Sequence, residues 1–139
     1  MLERDCIQAR GFRNLYDENG EKTGFQIRVR LVYYRGIWLS QLRPGKVTID
    51  GEEILPKDII WEVGGQRYTV NEIKGAGNAH WDVTNPATVY VKKKGGLKEG
   101  YHTVKVEYRF SSSYMPPAID TLISETMTGD HTRRLLLVD

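Results

Sequence analysis

Apolar and polar residues alternate with a period of two along several stretches of this chain. From Phe25 the sequence reads Phe-Gln-Ile-Arg-Val-Arg-Leu, with Phe25, Ile27, Val29 and Leu31 on one face and Gln26, Arg28 and Arg30 on the other. That spacing predicts a half-buried strand. A longer alternation runs from Tyr101 to Phe110. There His102, Val104, Val106, Tyr108 and Phe110 share a face opposite Thr103, Lys105, Glu107 and Arg109. Shorter strand signals lie at Cys6–Phe12, Val47–Ile54, Asp58–Val63, Arg67–Val70 and Thr88–Lys92. Turn residues separate them: Asn19-Gly20, Asp50-Gly51, Gly64-Gly65 and Gly95-Gly96 all suit tight reversals.

No segment keeps a helical period over three turns, and Val70–Lys74 offers one turn of helix at most. About eight strands with regular turn signals predict an all-β chain, an antiparallel β-sandwich or jelly roll. After Met115-Pro116-Pro117 the composition changes. Residues 1–117 are therefore expected to form the sandwich, and 118–139 a final strand of the same domain or an arm laid on a partner.

Composition narrows the function classes. With 40% hydrophobic and 27% charged residues the chain is ordinary for a globular domain, and 139 residues suffice for one core. A net charge of +2 gives no argument for nucleic acid. The basic run Lys92-Lys93-Lys94 is expected to be a solvated strand end that discourages aggregation. Cys6 is the single cysteine, so no intrachain disulfide forms. No apolar run approaches the roughly 20 residues of a membrane span. The expected location is the cytoplasm, with no membrane contact.

A self-contained active site is not evident. His80, His102 and His131 are scattered, with no metal-ligand spacing, and the acidic residues sit mostly in turns. His102, on an apolar face, is expected to be buried and satisfied, and His131 to be solvated. Ser111–Ser113 lack a nucleophile elbow, and no phosphate loop is present. The best candidate is His80 in Asn78-Ala-His-Trp-Asp-Val83, where strand geometry lets His80 and Asp82 share a face that Trp81 cannot.

The aromatic residues carry more information. Trp61 and Tyr108 are expected in the core. Tyr33-Tyr34-Arg35-Gly36 fits a core poorly, because consecutive strand residues face opposite sides and Arg35 would strand a charge. A covering partner chain resolves this, with Trp38 close by in sequence. Tyr114 and Met115, before the two prolines, form a second adaptable contact patch.

Four stretches, Tyr33-Tyr-Arg-Gly-Ile-Trp-Leu-Ser40, Val47-Thr-Ile-Asp-Gly51, Gly95-Gly-Leu-Lys-x-Gly-x-His102 and Ser113-Tyr-Met-Pro116, resemble the β subunit of bacterial C-glycoside deglycosidases in order and spacing. The resemblance covers roughly residues 1–117. It implies a small subunit without catalytic residues or metal of its own, in a hetero-oligomer with a TIM-barrel, sugar-isomerase-like α subunit. That partner is implied to hold a divalent metal, expected to be manganese, and the catalytic groups.

The reaction implied is cleavage of the C–C bond between a 3-oxo sugar and a flavonoid or anthraquinone aglycone. A C3 ketone, installed by another enzyme, acidifies the C2 proton. A base removes that proton, the metal stabilises the enolate, and the aglycone leaves by elimination. Tyr33, Tyr34, Arg35, Trp38, Tyr114 and Met115 are then expected at the subunit interface, with His80 and Trp81 reaching toward substrate. Two other classes remain open: a free carbohydrate-binding module using Trp38, Trp61 or Trp81 as platforms, and a small enzyme with His80 as base.

Overall fold

The computed structural model describes residues 6–31, 36–82, 84–110 and 130–138, and of Arg109, Phe110 and Asp130 the backbone only. Among these residues the strands are β1 (Ile7–Tyr16), β2 (Lys22–Val29), β3 (Ile37–Trp38), β4 (Leu42–Ile49), β5 (Glu52–Ile54) and β6 (Ile59–Val63). They continue with β7 (Gln66–Tyr68), β8 (His80–Trp81), β9 (Ala87–Lys92), β10 (Gly100–Phe110) and β11 (Asp130–Leu137). One helix, α1 (Val70–Lys74), and two 3-10 turns, Leu39–Gln41 and Pro56–Asp58, complete the described elements. The chain is all-β, as the alternation predicts. The strands outnumber the eight expected because β3 and β8 are only two residues long and the Val47–Ile54 stretch divides at its turn into β4 and β5.

Three antiparallel sheets form. One has the order β1-β2-β9-β6-β7, a second β11-β10-β4-β5, and the third is the ribbon β3-β8. Their inner faces follow the sequence pattern. Phe25, Ile27 and Val29 of β2, Val89 and Val91 of β9, and Val104, Val106 and Tyr108 of β10 are buried. Each such aliphatic side chain contributes about 1.5–3 kcal/mol through removal from water. Rings join the sheets: Trp61 of β6 meets Tyr108 of β10 at 5.9 Å between centroids.

Two polar positions depart from the pattern. Gln26, expected to face out, is buried opposite a bulge in β1. The bulge surrounds Gly11, whose φ of +85° takes it out of the extended region. The Gln26 side-chain amide donates to the Gly11 carbonyl at 3.0 Å, supplying a donor where the ladder is interrupted. His131, expected in solvent, is half-buried and stacks on Tyr108 at 5.7 Å.

The tight turns are those the residues require. Asp50 and Gly51 join β4 to β5 with φ values of +49° and +88°, and Gly64 and Gly65 join β6 to β7 with both φ positive. The reversals at Asp17–Glu21, Asp50–Gly51 and Lys93–Gly96 gather at one pole, where Asn14 grips the last of them. The Asn14 amide donates to the Leu97 carbonyl and accepts from the Leu97 N–H, each at 2.8 Å. At the opposite pole the Arg30 N–H donates to the Cys6 carbonyl at 2.7 Å, and the Tyr108 hydroxyl donates to the Arg30 carbonyl at 3.1 Å. Leu31, Gly36 and the C-terminal end of β10 lie at this second pole, where Phe110 pairs with Leu42.

Candidate functional site

The ribbon β3-β8 stands at the second pole. Its register pairs Ile37 with Trp81 and Trp38 with His80. Because neighbouring strand residues point to opposite faces, one pair turns inward and the other outward. Ile37 is buried and Trp81 is 0% exposed, while Trp38 is 46% exposed. Local bonds fix both strands. The Trp38 N–H donates to the Gln41 side chain at 2.7 Å, and the Leu39 N–H donates to the Ala79 carbonyl at 2.7 Å. The Trp81 indole N–H donates to the Asn85 carbonyl at 2.8 Å, which also shapes the turn leaving β8.

On the outward face, His80 packs edge-to-face with Trp38 at 5.1 Å between centroids. His80 Nδ1 lies 2.9 Å from Asp82 Oδ1. Gly36 makes room for the imidazole. A Cβ there would stand 2.3 Å from His80 Cε1 and 2.8 Å from Nε2, and 2.8 Å from the Trp81 carbonyl oxygen. The glycine at position 36 therefore serves a close approach. The resulting group of indole, imidazole and carboxylate is rigidly backed, since Trp81 is packed against Trp61 at 5.8 Å and Tyr108 at 5.9 Å.

Elsewhere the ionisable groups are committed to structure. His102 Nε2 faces the Lys98 carbonyl at 2.6 Å and Nδ1 faces Asp50 Oδ2 at 2.5 Å. Burial pushes the Cys6 thiol up to about 11, against smaller opposing effects of the Tyr108 hydroxyl and Arg30. It is no nucleophile at neutral pH. Among the described residues no group of three His, Cys, Asp or Glu side chains converges to hold a metal, and no helix is long and apolar enough to cross a membrane.

Of the residues singled out by sequence, the structure brings together Trp38 and His80, with Trp81 directly behind them. Tyr33, Tyr34, Arg35, Tyr114 and Met115 lie outside the described residues. Of the three indoles considered as sugar platforms, Trp61 and Trp81 are sealed in the core at 1% and 0% exposure, which leaves Trp38. Sequence reasoning paired His80 with Asp82 but missed Trp38 as its cross-strand neighbour, since a two-residue strand leaves no periodic signal. It also missed the Asp50–His102 pair, which a carboxylate in an Asp-Gly turn and a histidine at a strand start could have suggested.

Comparison with known proteins bears on what this arrangement serves. The family described as C-glycoside deglycosidase beta subunit matches residues 2–114. A C-glycoside deglycosidase beta subunit from Eubacterium cellulosolvens is 44% identical, over 99% of this chain and 100% of that protein. A C-glycoside deglycosidase beta subunit from Arthrobacter globiformis is 28% identical over 49% of this chain and 52% of its own length.

Proposed function

Since the chain belongs to the C-glycoside deglycosidase beta subunit family, we propose that it scaffolds and helps shape the active site of a larger α subunit. A beta subunit implies a partner. The partner proposed here is a TIM barrel of sugar-isomerase type that carries the catalytic residues and a divalent metal, manganese by preference. The reaction of the assembly is elimination of the aglycone from a 3-oxo-C-glycoside, with flavonoid or anthraquinone C-glycosides as the substrate class. An aryl carbon leaves poorly, so a base takes the C2 proton that the C3 ketone acidifies. The resulting electron pair expels the aglycone from C1, and the aglycone carbon takes up a proton as the C–C bond breaks. A divalent metal on the partner would supply Lewis-acid stabilisation of the enolate.

The observation that carries this reading is Trp38, a large ring 46% exposed on a ribbon whose inward face is locked into the core. Exposed, rigidly held indoles are the side chains that anchor interfaces. Tyr33, Tyr34, Arg35, Tyr114 and Met115 join Trp38 in the proposed interface. The described ends of both stretches, Leu31, Gly36 and Phe110, lie at the same pole as the ribbon. His80 reaches toward substrate, and Trp81 holds it there from behind. This chain supplies no catalytic nucleophile and no metal ligand in this scheme.

Co-expression with a barrel-type α subunit tests the proposal. The two chains should co-purify, and Trp38→Ala should weaken assembly about 10- to 100-fold without changing the thermal midpoint of the free chain. A wild-type chain that stays monomeric beside its barrel overturns the subunit reading.

A further inference from the structure

We infer that Trp38, His80 and Asp82 form a hydroxyl-accepting subsite for a phenolic ring of the aglycone, an inference that rests on the subunit reading above. Its first premise is the direction of a proton. An ionised carboxylate only accepts hydrogen bonds, so in the neutral form of the imidazole the hydrogen sits on Nδ1, which faces Asp82 Oδ1 at 2.9 Å. The lone pair is then on Nε2, and the group that Nε2 recognises must have a proton to share. The tautomer is assigned from this bonding pattern.

The second premise is space. The Gly36 main chain closes on one edge of the ring, where a Cβ would sit 2.3 Å from Cε1 and 2.8 Å from Nε2, and the imidazole still keeps 39% of its side-chain surface open to solvent. Among the described residues Nε2 has no hydrogen-bond partner. The third premise is shape. The half-exposed Trp38 ring stands at 77° to the imidazole, a flat apolar wall beside one acceptor. A planar ring bearing a hydroxyl satisfies both at once. Its face lies on the indole and its O–H points to Nε2.

A phenol suits this acceptor better than a sugar hydroxyl, because a group with a pKa of about 10 is a far stronger donor than an alcohol. Asp82 acts as a positioning residue. It fixes which nitrogen accepts and does not itself meet the ligand.

The test uses the assembled complex, with ring-15N histidine only in this chain. Adding a hydroxyflavone should move the His80 Nε2 resonance, and its methyl ether should not. His102 and His131, both bonded or stacked within the fold, serve as internal references. In the same complex His80→Phe should weaken hydroxyflavone binding about tenfold and bring it level with the methyl ether. Asp82→Asn should redistribute the His80 tautomers, a signature that loss of packing alone would not give. An Nε2 signal that ignores the hydroxyflavone, answers both probes alike, or answers glucose instead overturns the inference while the subunit reading stands. Should His80→Phe fail to assemble, the wild-type titration alone decides. Wild-type chains that do not co-purify overturn the subunit reading instead.

Discussion

At the scale of single residues, environment sets chemistry more than residue type does. Burial raises the Cys6 thiol to about 11 from 9.0, so at pH 8 its thiolate is about a hundredfold scarcer than that of an exposed cysteine. Native protein should therefore react with a thiol reagent at least about a hundredfold more slowly than protein in urea. Equal rates would show that the Cys6 pocket opens freely. His80 and Trp81 make the same point as neighbours in the chain with opposite fates. One is a surface imidazole beside a carboxylate, and the other is a core ring bonded to the Asn85 carbonyl.

At the scale of elements, the β4–β5 hairpin couples turn geometry to ionisation. Burial alone would raise the Asp50 carboxyl. Hydrogen bonds from His102 and the Thr103 N–H, with the charges of His102 and Lys93, outweigh it and hold the group below 3.8. A carboxyl lowered in the folded state contributes stability that is present above its unfolded pKa and lost as pH falls through the folded one. Asp50→Asn keeps a residue that tolerates the positive φ of +49° and removes the charge. It should cost about 0.5–1 kcal/mol at pH 7 and flatten the decline in thermal midpoint below about pH 4. Parallel acid profiles for the two proteins would contradict this.

The hairpin was legible from Asp50-Gly51, as were the long alternations of β2 and β10. So were α1, where Thr69 caps the Glu72 N–H, and the buried Trp61 and Tyr108. What escaped was set by contacts distant in sequence. The Gly11 bulge turned Gln26 inward, Tyr108 drew His131 out of solvent, and two-residue strands placed Trp38 on His80.

At the scale of the whole molecule, the last strand closes one side of the core. β11 pairs along β10, Arg133 donates to the Ile7 carbonyl at 2.8 Å, and Leu135 and Leu137 are buried where β1 and β11 approach. Leu135→Ala and Leu137→Ala should each cost about 2–4 kcal/mol in urea unfolding, and Leu136→Ala, half exposed, well under about 1 kcal/mol. A ranking with Leu136 foremost would mean that this strand is not seated as described. The uneven placement of the three tryptophans gives the molecule a built-in optical gauge. Acrylamide should quench the emission of one indole and spare two. When a companion chain docks beside the ribbon, that single accessible emitter should shift to the blue and lose part of its sensitivity to the quencher, so that assembly can be timed without a dye.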